Sequence, residues 1–420
     1  MIFMKKTSKI AEMFDAIKKA KVVGLDRFLL QLQSETKYSI AVLKRLGFYY
    51  GFERMLTFIQ ALKRPSPFLA LRVNTLKTSV PRVLAELKSV GIQARPSKVF
   101  EDVILVPIKG PEKLPIVEKK VVVKDKAGEE VMLGANLYAE GVVEMDPTIT
   151  RGDPVNIVTK YGDIIAYGRA TASAGTALKG QVVEVEKSLW NVPKIRVTRP
   201  WIRGYIYFTT LASRQAHEWL KLEDAKNVLL VTPAPDDVAH VIQEAPENAN
   251  IVVISKTQLE EYRLKSNLQA MKINISRIQW HVIDYKYIHL QPGYYDAIAV
   301  RPRCSKTGIR PRISCFLKEE DIISLAKTAL MLLQRLIPAL KKEGQLLMIN
   351  TSLDPLEGEI VLSELIGGGE KEIGINVELA DVKIKWGDKG LTIFPVGSQC
   401  MRTYPDKHDL GLFAALLVRR

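Results

Sequence analysis

The sequence predicts an α/β protein whose C-terminal half is a doubly wound, mainly parallel sheet, and three observations predict it. From about residue 200 onward apolar runs recur as candidate strands: NVLLVT, NIVVIS, YDAIAV, QLLMIN and a final FAALLV. Stretches of helical texture separate them, and that alternation lays parallel strands side by side with helices on both faces. Upstream, residues 117–195 carry short alternating strands (KKVVVKD, PVNIVTK, IIAYGRATA, GQVVEVEKS) cut by Gly, Asp and Pro turns, the pattern of a small barrel.

The remaining pieces follow in order. Residues 1–62 read as helical, with apolar positions at helical spacing in KIAEMFDAIKKA and YSIAVLKRLGFYYGFERMLTFIQAL and no proline before Pro65. Residues 63–116 read as strand, helix, strand, a compact α+β piece in which Thr78 is a candidate helix cap. The barrel occupies 117–195 and the doubly wound domain 196–420. A chain of 420 residues exceeds what one hydrophobic core usually serves, so several domains are expected.

Composition narrows the function classes. No apolar run approaches the roughly 18 residues of a membrane span, and MIFMKKTSKI lacks the features of a signal peptide, so a cytoplasmic protein is expected. Cys304, Cys315 and Cys400 stand at unrelated spacings and the five histidines are scattered, which predicts neither a disulfide framework nor a metal site. Lys and Arg number 61 against 46 Asp and Glu, a net charge of +15 that attracts polyanions over long range. Nucleic acid is the first partner that this charge indicates. A thermophile-like surface rich in Lys and Glu would give the same total, and composition leaves both open.

In doubly wound sheets ligands bind at the C-terminal ends of the strands. Chemistry is therefore expected in the loops after Val231, Ile254, Val300 and Ile349. The first of them, within VTPAPDDVAH, carries two acids and no glycine.

Four segments in a fixed order carry a resemblance: LRVNT at 71–75, KDKAGEEVMLGANLYAEGVVEMDPTITRGDPVNIV, CSKTGIRPR, and PDKHDLGLFAALLVRR. Together the chain resembles the Fmu/Sun family of RNA 5-methylcytosine methyltransferases, in the branch with an inserted PUA domain. The resemblance covers most of the chain. It implies a helical N-terminal segment, an RRM-like α+β segment, a PUA domain and a C-terminal Rossmann-like methyltransferase domain.

The same resemblance marks where the chain departs from the family. Members have a loop of the type DxCAAPGGKT that cradles S-adenosylmethionine. Here only Ala234–Pro235 match, with Asp236 and Asp237 on the glycines, Val238 on the lysine and Leu230 on the first aspartate. Side chains at both glycine positions are expected to obstruct the cofactor, and their carboxylates to repel its own. Ser255 and Lys256 stand where an acid would hold the ribose hydroxyls; Asp284 matches the family pattern, although a loop-capping role explains it equally well. Ser352, in INTSLDP, takes the place of the nucleophilic cysteine, and Arg301 that of the acid that activates the ring. Serine is a far poorer nucleophile than a thiolate. Cys304 remains, read first as a relic, with a core residue or a thiol activated by Arg301, Arg303 and Lys306 as alternatives. Cys400 lies outside the loop that the mechanism uses.

The RNA-holding apparatus is retained. RPRCSKTGIRPR at 301–312 holds five cations and no acid: Arg301, Arg303, Lys306, Arg310 and Arg312. Such residues stack on bases and fork onto phosphates. VTRPWIRGYIYFTT adds Arg199 and Arg203, leaves Trp201 open between stacking and core, and assigns Tyr205 and Tyr207 to the core. The resemblance to PUA domains nominates Lys124, Lys126, Asn136 and Tyr138. Arg72 and Asn74 of LRVNT are RNA candidates for which bracing is the first reading. The sequence-based expectation is thus an RNA-binding pseudo-methyltransferase, taking no cofactor and holding tRNA or rRNA. Its rivals are an active S-adenosylmethionine-dependent tRNA or rRNA cytosine-5 methyltransferase with a variant site, and a protein-binding subunit of an active relative or of the ribosome.

Overall fold

The computed structural model describes residues 25–176 and 179–420, so KIAEMFDAIKKA lies outside the described residues. Three helices, Leu25–Thr36, Ile40–Tyr50 and Phe52–Leu62, open the described chain. Leu29, Leu43, Phe58 and their neighbours share one buried cluster with Leu332, Leu336 and Leu346 of the C-terminal domain. The helical segment is therefore packed onto that domain.

The C-terminal domain is built on a nine-stranded sheet. From one edge the strands Ile278–Val282, Asn250–Ser255, Asn227–Val231, Tyr295–Val300 and Leu340–Asn350 run parallel. Leu412–Arg419 then pairs antiparallel with Leu340–Asn350. Apolar residues fill the central strands on both faces, as burial by helices on both sides requires. The chain leaves Asn227–Val231 toward one edge and returns to its other side at Tyr295–Val300. That reversal opens a crevice between the two strand ends. The helix Glu319–Leu336 belongs to a segment apolar and long enough by composition to cross a membrane, yet Ile322, Ala326, Ala329, Leu332 and Leu333 lie buried in the domain core.

The smaller sheet orders its strands Ile206–Thr209, Phe68–Val73, Val103–Pro107 and Arg95–Pro96. Its helix, Val80–Ser89, is preceded by Ser79 at the cap position rather than Thr78, and the Ser79 side chain makes no capping hydrogen bond. Pro81 in the first turn, lacking an N–H to be capped, fixes that start instead. The barrel is a six-stranded sheet, with Leu137–Tyr138 and Val142–Met145 joining the four expected strands. It enters and leaves the small sheet side by side. Asn191 N donates to Lys109 O at 2.7 Å and Lys109 N to Asn191 O at 3.2 Å.

One glycine is demanded by packing. A Cβ on Gly308 would lie 2.1 Å from Gly411 O and 2.7 Å from Gly411 Cα, backbone that cannot rotate away. The basic loop is thereby laid directly on the C-terminal hairpin, and Gly411 N donates to Gly308 O at 2.9 Å. We expect Gly308→Ala to lower stability by about 2 kcal/mol, read as a shift of the denaturant midpoint.

Candidate cofactor cleft and RNA-facing surface

A cleft of about 670 Å³ opens at the switch between Asn227–Val231 and Tyr295–Val300. Thr232–Pro235, Ser255, Glu260, Tyr285, Arg301, Arg303, Cys304 and Thr351 line it. The two acids after Pro235 explain themselves at this level. Pro235–Glu244 is a helix with Pro235 at its start and Asp236 and Asp237 in its first turn, where carboxylates meet unpaired backbone N–H groups and the positive end of the dipole. Asp237 accepts from Ala234 N at 2.7 Å.

Both side chains point away from the cleft. Asp237 is buried beneath the loop, 2.6 Å from His217 Nε2 and gripped by two nitrogens of Arg301 at 2.5 and 2.7 Å. Asp236 accepts from Thr209 Oγ1 at 3.1 Å. The expected obstruction therefore does not occur. The expected repulsion is offset as well, because Arg301 brings a cation to the floor opposite both acids. Burial pushes the Asp237 carboxyl upward, but the Arg301 charge and hydrogen bonds from His217 and Arg301 outweigh it and leave the group well below the carboxylate range.

Behind this pair the charges continue inward. The His217 ring stacks on His240 with centroids 4.7 Å apart. His240 Nδ1 lies 2.7 Å from Arg72 Nη1, and Arg72 also holds Asp102 at 2.6 Å and Glu244 at 2.5 Å. Arg72 is buried and fully engaged, so it braces the small sheet against the large one and is withdrawn as an RNA contact. Asn74, also buried, caps its own turn through Leu76 N at 3.2 Å. Trp201 is buried against Phe208, centroids 4.8 Å apart, which places it in the core along with Tyr207.

The basic loop spends three of its five cations on internal partners. Arg301 serves Asp237; Arg310 donates to Arg64 O at 2.9 Å and Pro405 O at 2.5 Å; Arg312 donates to Lys306 O at 2.9 Å and Ser314 O at 3.2 Å. An irregular loop leaves carbonyls that need donors, and the guanidinium fork supplies several at once. Arg303 and Lys306 stay exposed, Arg303 paired at 3.1 Å with Glu260. Arg199, Arg203, Lys124, Lys126 and Tyr138 are exposed too. Asn136 is instead tied to Gln181 and to Val185 N within the barrel.

Ser352 is fully buried. Its hydroxyl donates to Glu357 Oε2 at 2.5 Å and lies 3.0 Å from Ser305 Oγ. Cys304 reaches the cleft, 3.6 Å from Thr351 Oγ1. Burial, followed by the Glu357 charge, pushes its thiol up against hydrogen bonds from Thr351 and Lys306. The alternative reading, a thiol activated by flanking cations, is not supported by that raised value. Leu230 is buried in the core, and Asp284 caps the turn at Lys286 N (3.1 Å) and sits 3.6 Å from Lys256. Cys400 is buried in the core. Among the described residues, no group of three or more His, Cys, Asp or Glu could hold a metal ion.

Two residues escape sequence reading. Glu260, in the first turn of Gln258–Ala270, brings to the cleft the acid that Ser255 lacks. Its Oε2 accepts from Lys256 N at 3.1 Å, an i to i+4 relation visible only once the strand end is known. Glu357 is the other. Its carboxyl is pushed up to about 7, by burial first and by the Asp354 charge second, against hydrogen bonds from Ser305 and Ser352. With the folded value above the unfolded one, its contribution to stability is complete below the ordinary glutamate range and is lost as pH rises through about 7. Such a shift corresponds to about 3 kcal/mol. The unfolding midpoint should accordingly fall from about pH 5 to about pH 8, and Glu357→Gln should flatten that slope.

Comparison with known proteins places these features. Residues 119–189 match the PUA domain model, residues 42–111 the "Methyltr_RsmF/B-like, ferredoxin-like domain", and residues 217–418 the "16S rRNA methyltransferase RsmB/F" model. The chain is 26% identical, over 90% of its length and 97% of the relative's, to the tRNA (cytosine(72)-C(5))-methyltransferase of Pyrococcus horikoshii. It is 23% identical to human tRNA (cytosine(72)-C(5))-methyltransferase NSUN6, over 76% of each chain. The crystal structure of NSun6 from Pyrococcus horikoshii with SFG shares the fold, with a TM-score of 0.79 at 23% identity over 91% of this chain and 99% of that one. The expectation of no cofactor is corrected by these findings: the matched model and relatives are named as methyltransferases, and the structural relative was solved with SFG. The sequence-based argument failed because it assumed that side chains at 236 and 237 face the cleft.

Proposed function

We propose that the chain, which matches the RsmB/F methyltransferase model over residues 217–418 and the PUA model over 119–189, is an S-adenosylmethionine-dependent RNA cytosine-5 methyltransferase of the Fmu/Sun type acting on tRNA through a variant site. The observation that carries this reading is the open cleft at the switch point, with Asp236 and Asp237 turned out of it and a thiol, Cys304, on its wall. Its volume of about 670 Å³ suits a nucleoside-sized ligand. Ser255 and Glu260 would hold ribose hydroxyls, Tyr285 would wall the base, and the Thr232–Pro235 backbone would face the amino-acid end. When bound, the cofactor supplies an electrophilic methyl group.

Cys304 is the thiol available to attack carbon 6 of the cytosine, and it must first lose its proton. Its raised value makes that step favour alkaline pH. Arg303 and Lys306 at the rim and Lys124, Lys126 and Tyr138 on the barrel would grip phosphates and bases. The relatives named as tRNA methyltransferases, matched over most of this chain, support tRNA as the substrate.

The test uses methyl-labelled S-adenosylmethionine with unmodified tRNA transcripts. Label should enter at carbon 5 of cytosine and vanish in Cys304→Ala, while calorimetry shows cofactor binding intact in both proteins. Absence of cofactor binding at millimolar concentration would remove the proposal. A second reading, RNA binding without methyl transfer, is favoured by one observation: Ser352 is buried and held by Glu357 where the family has its nucleophilic cysteine. It stands if the cofactor binds and no RNA accepts label.

A further inference from the structure

A second cavity, about 570 Å³, lies where the helical segment, the small sheet, the barrel and the C-terminal domain meet. Its walls are aromatic, with Phe68 from the small sheet, Trp190 from the barrel and Trp386 from the C-terminal domain. The indole N–H of Trp190 is buried and has no partner. That of Trp386 is anchored on Asp409 at 3.1 Å, which fixes its ring as a platform, and His408 packs edge-on against it with centroids 5.3 Å apart. Arg64 and Lys407 stand exposed at the rim, Lys407 3.6 Å from Asp388, with one exposed acid, Asp406, beside them.

Arg310 forms part of this wall, and Ile309 beside it lines the cofactor cleft. The basic loop is therefore the partition between the two cavities. Flat aromatic walls with cations at the mouth are what an unstacked nucleobase with its phosphate outside requires.

We propose that this cavity takes an unpaired nucleobase of the bound RNA, one close along the strand to the nucleotide presented in the cleft. The inference rests on the RNA-binding reading above. The two cavities then hold the strand on either side of the 301–312 loop, so that the substrate is registered by a base other than the one that reacts.

The test uses the full chain and single-stranded RNA hexanucleotides carrying one 5-iodouridine at successive positions, with photocrosslinks mapped by mass spectrometry. Crosslinks should fall on Trp190 or Trp386. Gln60→Trp, an exposed position at the cavity wall, should weaken hexanucleotide binding by about 10-fold while leaving S-adenosylmethionine affinity and the unfolding midpoint unchanged. RNA binding with crosslinks only outside the cavity, or with Gln60→Trp binding like the parent, overturns this inference and leaves the RNA reading in place. Failure to bind any RNA overturns both. Protection of the cavity by a protein segment in place of RNA also overturns it.

Discussion

Replacing Arg301 with alanine is expected to remove about 3–5 kcal/mol of stability, because it strands the buried carboxylate of Asp237 beside a histidine. The native pair is bidentate, at 2.5 and 2.7 Å, and Arg301 also reaches Ser213 Oγ at 3.1 Å. The physical content is mutual dependence: Asp237 without Arg301 is an uncompensated buried charge, and Arg301 without Asp237 is another. Asp237→Ala should therefore also destabilise, and the double variant should lose much less than the two single losses added together. Denaturant unfolding of the four proteins reads this coupling directly. Since Asp237 is held below the carboxylate range, the pair's stabilisation is present at neutral pH and is lost as pH falls into the acid range. The single variants should be less acid-labile relative to their own neutral stability. Additive losses would mean that the pair is independent in energy despite its geometry.

Methyl transfer is expected to rise on the order of 100-fold in Ser352→Cys, measured as labelled methyl entering tRNA. The serine hydroxyl stays protonated near neutral pH, whereas a thiol at this position is intrinsically a much better nucleophile once ionised. Glu357, at about 7, already accepts a hydrogen bond from the hydroxyl at 2.5 Å and is placed to take the proton of a thiol put there. Adding Cys304→Ala to this variant should leave transfer in place, although the same change abolishes it in the parent, because the new thiol at position 352 would then carry the attack that Cys304 carries in the parent. Unchanged transfer in Ser352→Cys would show that position 352 lies beyond reach of the cytosine and that the cleft wall around Cys304 alone carries the chemistry.

The fold was legible because its signals are local. Alternating apolar strands and helices from Asn227 onward, and short strands between Gly and Pro turns upstream, each report one element at a time. The site was less so. That Asp236 and Asp237 depart from the glycine pattern was visible, but their direction was not. The stretch Ala234–Pro235–Asp236–Asp237 also reads as a helix start, whose carboxylates turn toward backbone N–H groups. Reading it that way would have removed the obstruction in advance. The engagement of Arg301 and Arg310 depends on partners 64 to 246 residues away, and no local pattern announces such pairing. Trp201 and Arg72 were ambiguous for the same reason. An aromatic on a short helix or an arginine on a strand looks alike in sequence whether it faces RNA or a neighbouring element.

The barrel begins and ends at the Lys109–Asn191 clasp, inside a sheet whose other strands it interrupts in sequence and not in space. A module held this way is a cassette. Its two ends leave from adjacent points, so it can be exchanged or reshaped while the host sheet keeps its strand pairing. Preference for one RNA can then drift on the barrel at its own pace, apart from the cleft and from the buried charges beneath it. A change of surface on the barrel then leaves the C-terminal sheet and its cleft untouched, and a change in the cleft leaves the barrel as it was.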